Sequence, residues 1–311
     1  MSVSPHGIHH VTAIASDPQK NVDFYTKVLG LRLVKQTVNF DAPHVWHLYY
    51  GDEAGNPASI MTFFPWPGVQ RGREGAGLTT ATAFSIPPES IGFWLERLKS
   101  LEVEHLGVTT KGDAEAITFF DNDGMRLELV ASPGDQRSGW DGHGAIPSEH
   151  AVRGLHEVTL SERSLDATAG MLTNLLGMNL GSESSDAASF SMGEGGAGAA
   201  VLVKGGVEER GLQAGGTVHH VAFRAPNLQT MESWRQELLG RGVNVTEIMD
   251  RQYFKSIYFR EPGGVLFEIA TDEPGFDIDE PLLELGRKLK LPPWLEPSRE
   301  QIANMLPRIE V

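Results

Sequence analysis

A short module occurs four times in this chain, and that repetition restricts the folds open to it more than any other feature. GIHHVT at residues 7–12 returns as GLHEVT at 154–159. Each copy leads into a helical stretch and then into Leu29 to Leu31 or Leu176 to Met178. A second pair matches ATAF, Ala81 to Phe84, with HVAF, His220 to Phe223. The segments that follow, SIGFWLERLKSLEV and LQTMESWRQELLGRGV, place apolar residues three and four apart, the period of an amphipathic helix. Each half then closes on alternating strands around a turn, Asn-Asp-Gly in ITFFDNDGMRLELV and Pro-Gly-Gly in SIYFREPGGVLFEIA. The unit is strand, helix and then three strands, over residues 7–66, 77–132, 154–205 and 216–271.

This pattern predicts an α+β protein of four βαβββ modules paired into two barrel-like domains. The expected division is an N-terminal domain at 1–145, a C-terminal domain at 150–275 and a tail at 276–311. Gly-rich links at 66–77 and 205–216 join modules within each half, and a long polar stretch at 132–154 separates the halves. Ser298 is placed to cap a last short helix, and the tail is expected to pack on the barrels or to close a site.

Composition narrows the chemistry. The 311 residues include no cysteine, which excludes disulfides, thiolate metal sites and cysteine nucleophiles. Any metal must therefore be held by nitrogen and oxygen, for which 11 His and 41 Asp plus Glu are available. A net charge of −15 argues against nucleic acid and anionic membrane as partners. The opening MSVSPHGIHH has neither a basic nor an apolar signal region, so a cytoplasmic location is expected.

Three residues stand out for metal binding. His10 lies on the first strand of module one, His220 on the first strand of module four, and Glu268 on that module's last strand. Two imidazoles and one carboxylate leave coordination positions open and suit Fe(II) that must meet substrate and oxygen together. Glu268 follows His220 by 48 positions, and Glu128 follows Ala81 by 47, so the carboxylate recurs in both halves while the histidine does not. A buried carboxylate beside His220 is best explained by a cation between them.

The other histidines have plainer explanations. Alternation sends His9, His219 and His156 to the opposite strand face. His6, His105, His143 and His150 fall in loops or near termini and are expected to be solvated, while His44 and His47 could line a pocket.

Module pairing decides which residues meet. If each half closes on itself, one site is Glu157, His220 and Glu268, and its twin is His10, Ala81 and Glu128. If modules pair across the halves, one site is His10, His220 and Glu268, and the twin is Glu157, Ala81 and Glu128. Only the cross-paired scheme gathers both histidines, and it is the expected one.

Taken together, GIHHVT, NVDFYTKVLGLRLVKQTVNFD, WHLYYGDEAGNPASIMTFFP, HHVAF, YFKSIYFREPGGVLFE and LPPWLEP resemble the vicinal-oxygen-chelate superfamily. The closest likeness is to ring-cleaving dioxygenases of the 2,6-dichlorohydroquinone 1,2-dioxygenase type. That resemblance implies that His10, His220 and Glu268 hold Fe(II) or Mn(II). It places Tyr258, His9, Thr12 and His219 near the metal, in substrate binding or proton transfer. Arg251 stands nearest to the family arginine that precedes the matching YFxSxY motif, although the chain is shorter there. A three-residue loop at 262–264 would set Tyr258 opposite Glu268, and a four-residue loop would set Ile257 there. The implied partners are a small aromatic substrate and O2, with a homo-oligomer possible. Two rivals share the scaffold: a glyoxalase-type isomerase or lyase using Zn(II) or Ni(II) with Glu157 as a fourth oxygen, and a small-molecule binding protein without chemistry.

Overall fold

A computed structural model describes residues 4–141 and 146–311, so His143 lies outside the described residues. Module one runs β1 (Ile8–Ala15), α1 (Pro18–Asp23), β2 (Arg32–Asn39), β3 (Ala42–Gly51) and β4 (Ile60–Pro65). Module two runs β5 (Leu78–Ile86), α2 (Ile91–Ser100), β6 (His105–Lys111), β7 (Ala114–Phe120) and β8 (Arg126–Ala131). Module three is β9 (Gly154–Ser161), α3 (Asp166–Asn174), β10 (Asn179–Glu183), β11 (Ala187–Ser191) and β12 (Ala200–Lys204). Module four is β13 (Thr217–Ala225), α4 (Leu228–Gly240), β14 (Met249–Asp250), β15 (Lys255–Arg260) and β16 (Leu266–Thr271).

Local chemistry accounts for the elements. Asp17 caps α1 by accepting from the amides of Gln19 and Lys20, with Pro18 in the first turn, where its missing N–H costs nothing. Helix α2 buries Ile91, Trp94 and Leu98, and α4 buries Met231, Trp234 and Leu238, in each case the three- and four-residue stripe read from sequence. The hairpin turns use glycine where φ is positive, +76° at Gly124 and +116° at Gly264.

Two eight-stranded sheets result, ordered β14-β15-β16-β13-β1-β4-β3-β2 and β10-β11-β12-β9-β5-β8-β7-β6. The first joins modules four and one through antiparallel β1 and β13, and the second joins modules three and two through β9 and β5. Each half of the chain thus gives one module to each sheet, which is the cross-paired arrangement. The two Gly-rich links also bridge to each other, Arg71 to Gly215 and Arg73 to Leu212. One continuous apolar cluster runs from Val11, Phe63 and Phe223 in the first sheet to Phe84, Leu127 and Val158 in the second.

The central strands carry an irregularity that alternation does not foresee. Along β1 and β13, Ile8 faces Phe223 and His10 faces Ala222, while Thr12 faces His220 and Ala13 faces Val218. His9 and His219 are therefore the extra residues of two β-bulges, which re-aim the side chains around them. The second sheet repeats both bulges, at His156 and Thr80.

The tail packs on the first sheet. Fully buried Lys35 donates through Nζ to Phe276 O (3.0 Å), Asp279 Oδ1 (2.6 Å) and Glu280 Oε2 (2.6 Å). Gln36 binds Gly286 O, and the Trp46 indole binds Pro307 O. The last helix, α5 (Arg299–Met305), does begin after Ser298, but Ser298 makes no side-chain cap, and the Arg299 guanidinium pairs with Glu296 instead. No helix among the described residues is long and apolar enough to cross a membrane.

Candidate metal centre

Strand β1 delivers His10, β13 delivers His220, and the parallel neighbour of β13, β16, delivers Glu268. All three are buried, with exposures of 1%, 4% and 0%. His10 Nε2 lies 3.2 Å from His220 Nε2 and 3.2 Å from Glu268 Oε2, and His220 Nε2 lies 2.8 Å from that same oxygen. Among the described residues these three form the one group of histidines and carboxylates close enough to hold a metal ion.

His9 Nε2 faces the Thr271 carbonyl at 3.1 Å, and a carbonyl can only accept, so that nitrogen carries the proton. Burial, helped by His10, drives the His9 pKa down to about 3, so the ring is neutral and its Nδ1 is bare. His10 Nδ1, 2.9 Å away, is then the donor, and His10 Nε2 faces His220 and Glu268. His219 Nδ1 stands 2.8 Å from His220 Nδ1. The bulges at His9 and His219 thus bring each imidazole against its neighbour, His10 or His220, where plain alternation would have turned it away.

A single proton could bridge one contact in this triangle, never all three. Glu268 Oε1 accepts from the Ser256 hydroxyl, but Oε2 has no donor in hydrogen-bonding geometry. Burial alone would push Glu268 up, yet the facing His10 and His220 hold it well below the usual carboxylate range. Three donor atoms meeting at right angles on one ion, with bonds of about 2.1 Å, would be about 3.0 Å apart. The observed 2.8–3.2 Å matches that spacing, so the residues present fit a divalent ion bound on one face.

The donors open into a cavity of about 400 Å³. Phe40, Phe64 and Phe254 form its apolar walls, and His47 and Tyr49 line the β3 side. On the β15 side Tyr258 pairs directly with Glu268, as the three-residue turn requires. Arg251 Nε donates to the Tyr258 hydroxyl (3.1 Å), and its Nη1 meets Asp41 Oδ2 (3.1 Å) from the opposite edge of the sheet. Burial and the charge on Glu268 keep the Tyr258 phenol above its ordinary pKa. His219 lines the cavity as well, whereas His9 lines a separate cleft behind Phe254.

Thr12 is fully buried and does not line the cavity. Its hydroxyl bonds to Thr62 (2.9 Å), whose Oγ1 meets His47 Nε2 (2.8 Å), and His47 Nδ1 meets the Tyr49 hydroxyl (2.9 Å). His44 packs on Trp66 away from the pocket. His6 is exposed, but His105 and His150 are half-buried and bonded, to Val103 O and to the Ser90 hydroxyl. Ser256, Phe254 and Asp41 were not foreseen. Ser256 could have been, since it sits two residues from Tyr258 on the same strand face.

Glu157 cannot be a fourth ligand here. It belongs to the second sheet, where Lys111 Nζ meets it at 2.9 Å. The rival glyoxalase-type site, which called on Glu157 as a fourth oxygen, loses that ligand, and the expected placement of Glu157 in the other sheet is the one seen.

A model of the Glyoxalase/Bleomycin resistance protein/Dioxygenase superfamily matches residues 7–129 and 154–269, which is most of the chain. The chain belongs to this superfamily. Within it, MhqO of Bacillus subtilis, named a candidate ring-cleaving dioxygenase, is 41% identical over 100% of this chain and 99% of its own. The chlorohydroquinone/hydroquinone 1,2-dioxygenase of Sphingobium indicum is 33% identical over 96% of this chain and 95% of its own. A crystal structure of a candidate dioxygenase from Bacillus subtilis aligns with TM-score 0.95 at 39% identity, covering 99% of both chains. Maize glyoxalase I, at 16% identity and TM-score 0.63 over 86% of this chain and 92% of its own, shares the fold. The two curled sheets are the vicinal-oxygen-chelate fold of this superfamily.

Proposed function

We propose that the protein is a ring-cleaving dioxygenase that inserts O2 into a hydroquinone-type phenol, with His10, His220 and Glu268 holding Fe(II) or, in its place, Mn(II). The observation that carries this reading is the triangle of two imidazole Nε2 atoms and one carboxylate oxygen, 2.8–3.2 Å apart, at the floor of an aromatic-walled cavity. The names of the relatives support the same chemistry. When bound, the ion would supply open coordination positions at which a phenolic oxygen and O2 are held together and electrons pass between them.

The chain's own residues do the positioning. His9 and His219 hold His10 and His220 through their Nδ1 atoms, so that Nε2 of each is aimed at the centre. Tyr258, held by Arg251, presents a hydroxyl to the charge that develops on the substrate oxygen. Phe40, Phe64 and Phe254 exclude water and stack against a flat ring. A cavity of about 400 Å³ takes a single substituted benzene ring, in keeping with a small phenol.

The test is anaerobic reconstitution of the stripped protein with Fe(II), followed by oxygen uptake across a panel of hydroquinones and catechols. Hydroquinones should drive uptake, and His10→Ala, His220→Ala and Glu268→Ala should each abolish both bound metal and turnover while the fold is kept. A His10→Ala protein with full metal content and normal turnover would overturn the assignment.

A further inference from the structure

The second sheet contains a counterpart of the metal centre, and strand register aligns the two. His10 faces Ala222 and Thr12 faces His220 in one sheet, and Glu157 faces Ala83 and Thr159 faces Ala81 in the other. Tyr258 faces Glu268 as Thr118 faces Glu128. Glu157, Ala81 and Glu128 therefore stand where His10, His220 and Glu268 stand.

The register also reaches one strand further. Met249 faces Ser256 and Asp250 faces Lys255, and the Arg251 amide bonds to Phe254 O at 2.9 Å. In the second sheet Thr109 faces Ala116 and Lys111 faces Ala114. Ser256 and Ala116 are equivalent, each two residues before the residue that faces the glutamate, so Lys111 holds the scaffold position of Arg251. The two cations behave differently. Arg251 turns to Tyr258 and Asp41 and leaves the centre of its sheet free. Lys111 reaches inward, its Nζ meeting Glu128 Oε2, Glu157 Oε1 (2.9 Å) and Thr159 Oγ1 (3.4 Å), with Lys111, Glu128 and Glu157 all more than four-fifths buried.

We propose that Lys111 is a built-in replacement for the metal ion, its ammonium standing between the counterparts of His10 and Glu268, so that the second centre is complete without an ion. A buried pair of ionised carboxylates is stabilised by a positive charge between its members, and a lysine supplies one that no chelator can remove. Burial pulls the Lys111 pKa down, but Glu157 and Glu128 more than reverse this, so the ammonium stays charged. The occupancy of this centre by lysine stands on its own geometry; the corollary of one ion per chain rests on the functional reading above. Without the lysine, Glu128, Glu157 and the Thr159 hydroxyl would form an all-oxygen site suited to a hard divalent ion.

The test uses the full chain and Mn2+ alone as probe. Bound Mn2+ is counted after equilibrium dialysis in the wild type, Lys111→Ala and Lys111→Ala/Glu128→Gln. Lys111→Ala should bind about one ion more per chain than the wild type, and Glu128→Gln should remove that gain; no gain would overturn the proposal. If the functional reading alone were wrong, the wild type would bind no ion while Lys111→Ala still gained one. Stability gives a second readout that does not need metal. Lys111→Met should lower Tm by about 5–10 °C through the two stranded carboxylates. Adding Glu128→Gln and Glu157→Gln should restore most of it. A triple variant as unstable as Lys111→Met would mean the lysine serves only as packing, and would sink the idea.

Discussion

Tyr258 shows how much a single side chain can hold in this pocket. Its backbone is fixed opposite Glu268, its hydroxyl is tied to Arg251, and its ring lies 5.7 Å from that of His220. Removing only the hydroxyl leaves the packing intact, so Tyr258→Phe should keep full metal content and lose turnover by about tenfold to a thousandfold, the usual range for one lost oxyanion donor. Steady-state kinetics alongside a metal count would check this, and unchanged kinetics would remove Tyr258 from the reaction. His10, His220 and Glu268 were legible in the sequence because a repeat exposes a position where one copy departs from the other. Their neighbours were less so. Parity turned His9 and His219 away, since a one-residue bulge resets alternation and leaves no mark in residue type.

At the scale of elements, helices and hairpins followed the apolar periods and turn residues closely, because each is determined by neighbours a few residues away. The role of the tail was harder to read, since its partners lie far back in the chain. Lys35 on β2 is buried only because Asp279, Glu280 and Phe276 O come from the tail to meet it. Lys35→Met should leave Glu280 buried beside an apolar chain, a loss of about 3–5 kcal/mol for a broken buried pair. The tail should then detach before the sheets unfold. Limited proteolysis would show this as early cleavage within 276–311, and a cleavage rate equal to that of the wild type would mean the lysine is not its anchor.

Across the whole molecule, the two sheets are also joined by a carboxyl pair. Glu162, just beyond β9, packs with Glu261, just beyond β15, and Glu261 accepts from the Thr168 hydroxyl (2.7 Å) and the Val265 amide (2.9 Å). Burial first, and then the charge of Glu261, raises the Glu162 pKa from 4.5 to about 8. A group whose folded pKa lies above its unfolded value stabilises fully below the unfolded pKa and loses that contribution as pH rises through the folded one. This pair should therefore weaken the molecule progressively between about pH 4.5 and pH 8. Glu162→Gln cannot ionise, so its Tm should fall less than the wild type's from pH 5 to pH 9. Parallel Tm profiles for the two proteins would contradict this.

The crossing of the halves also bears on how the molecule is made. Glu268 follows His10 out of the ribosome by 258 residues, the difference between their two numbers. During that interval β1 can pair with β4 on one side, while the edge that β13 will cover stays open. An open strand edge is a template for pairing with the wrong chain. The nascent first half therefore has to wait, with a bare edge and one residue of the candidate metal centre, for a partner synthesised later. Anything that halts translation between the halves would release a fragment that can close neither sheet.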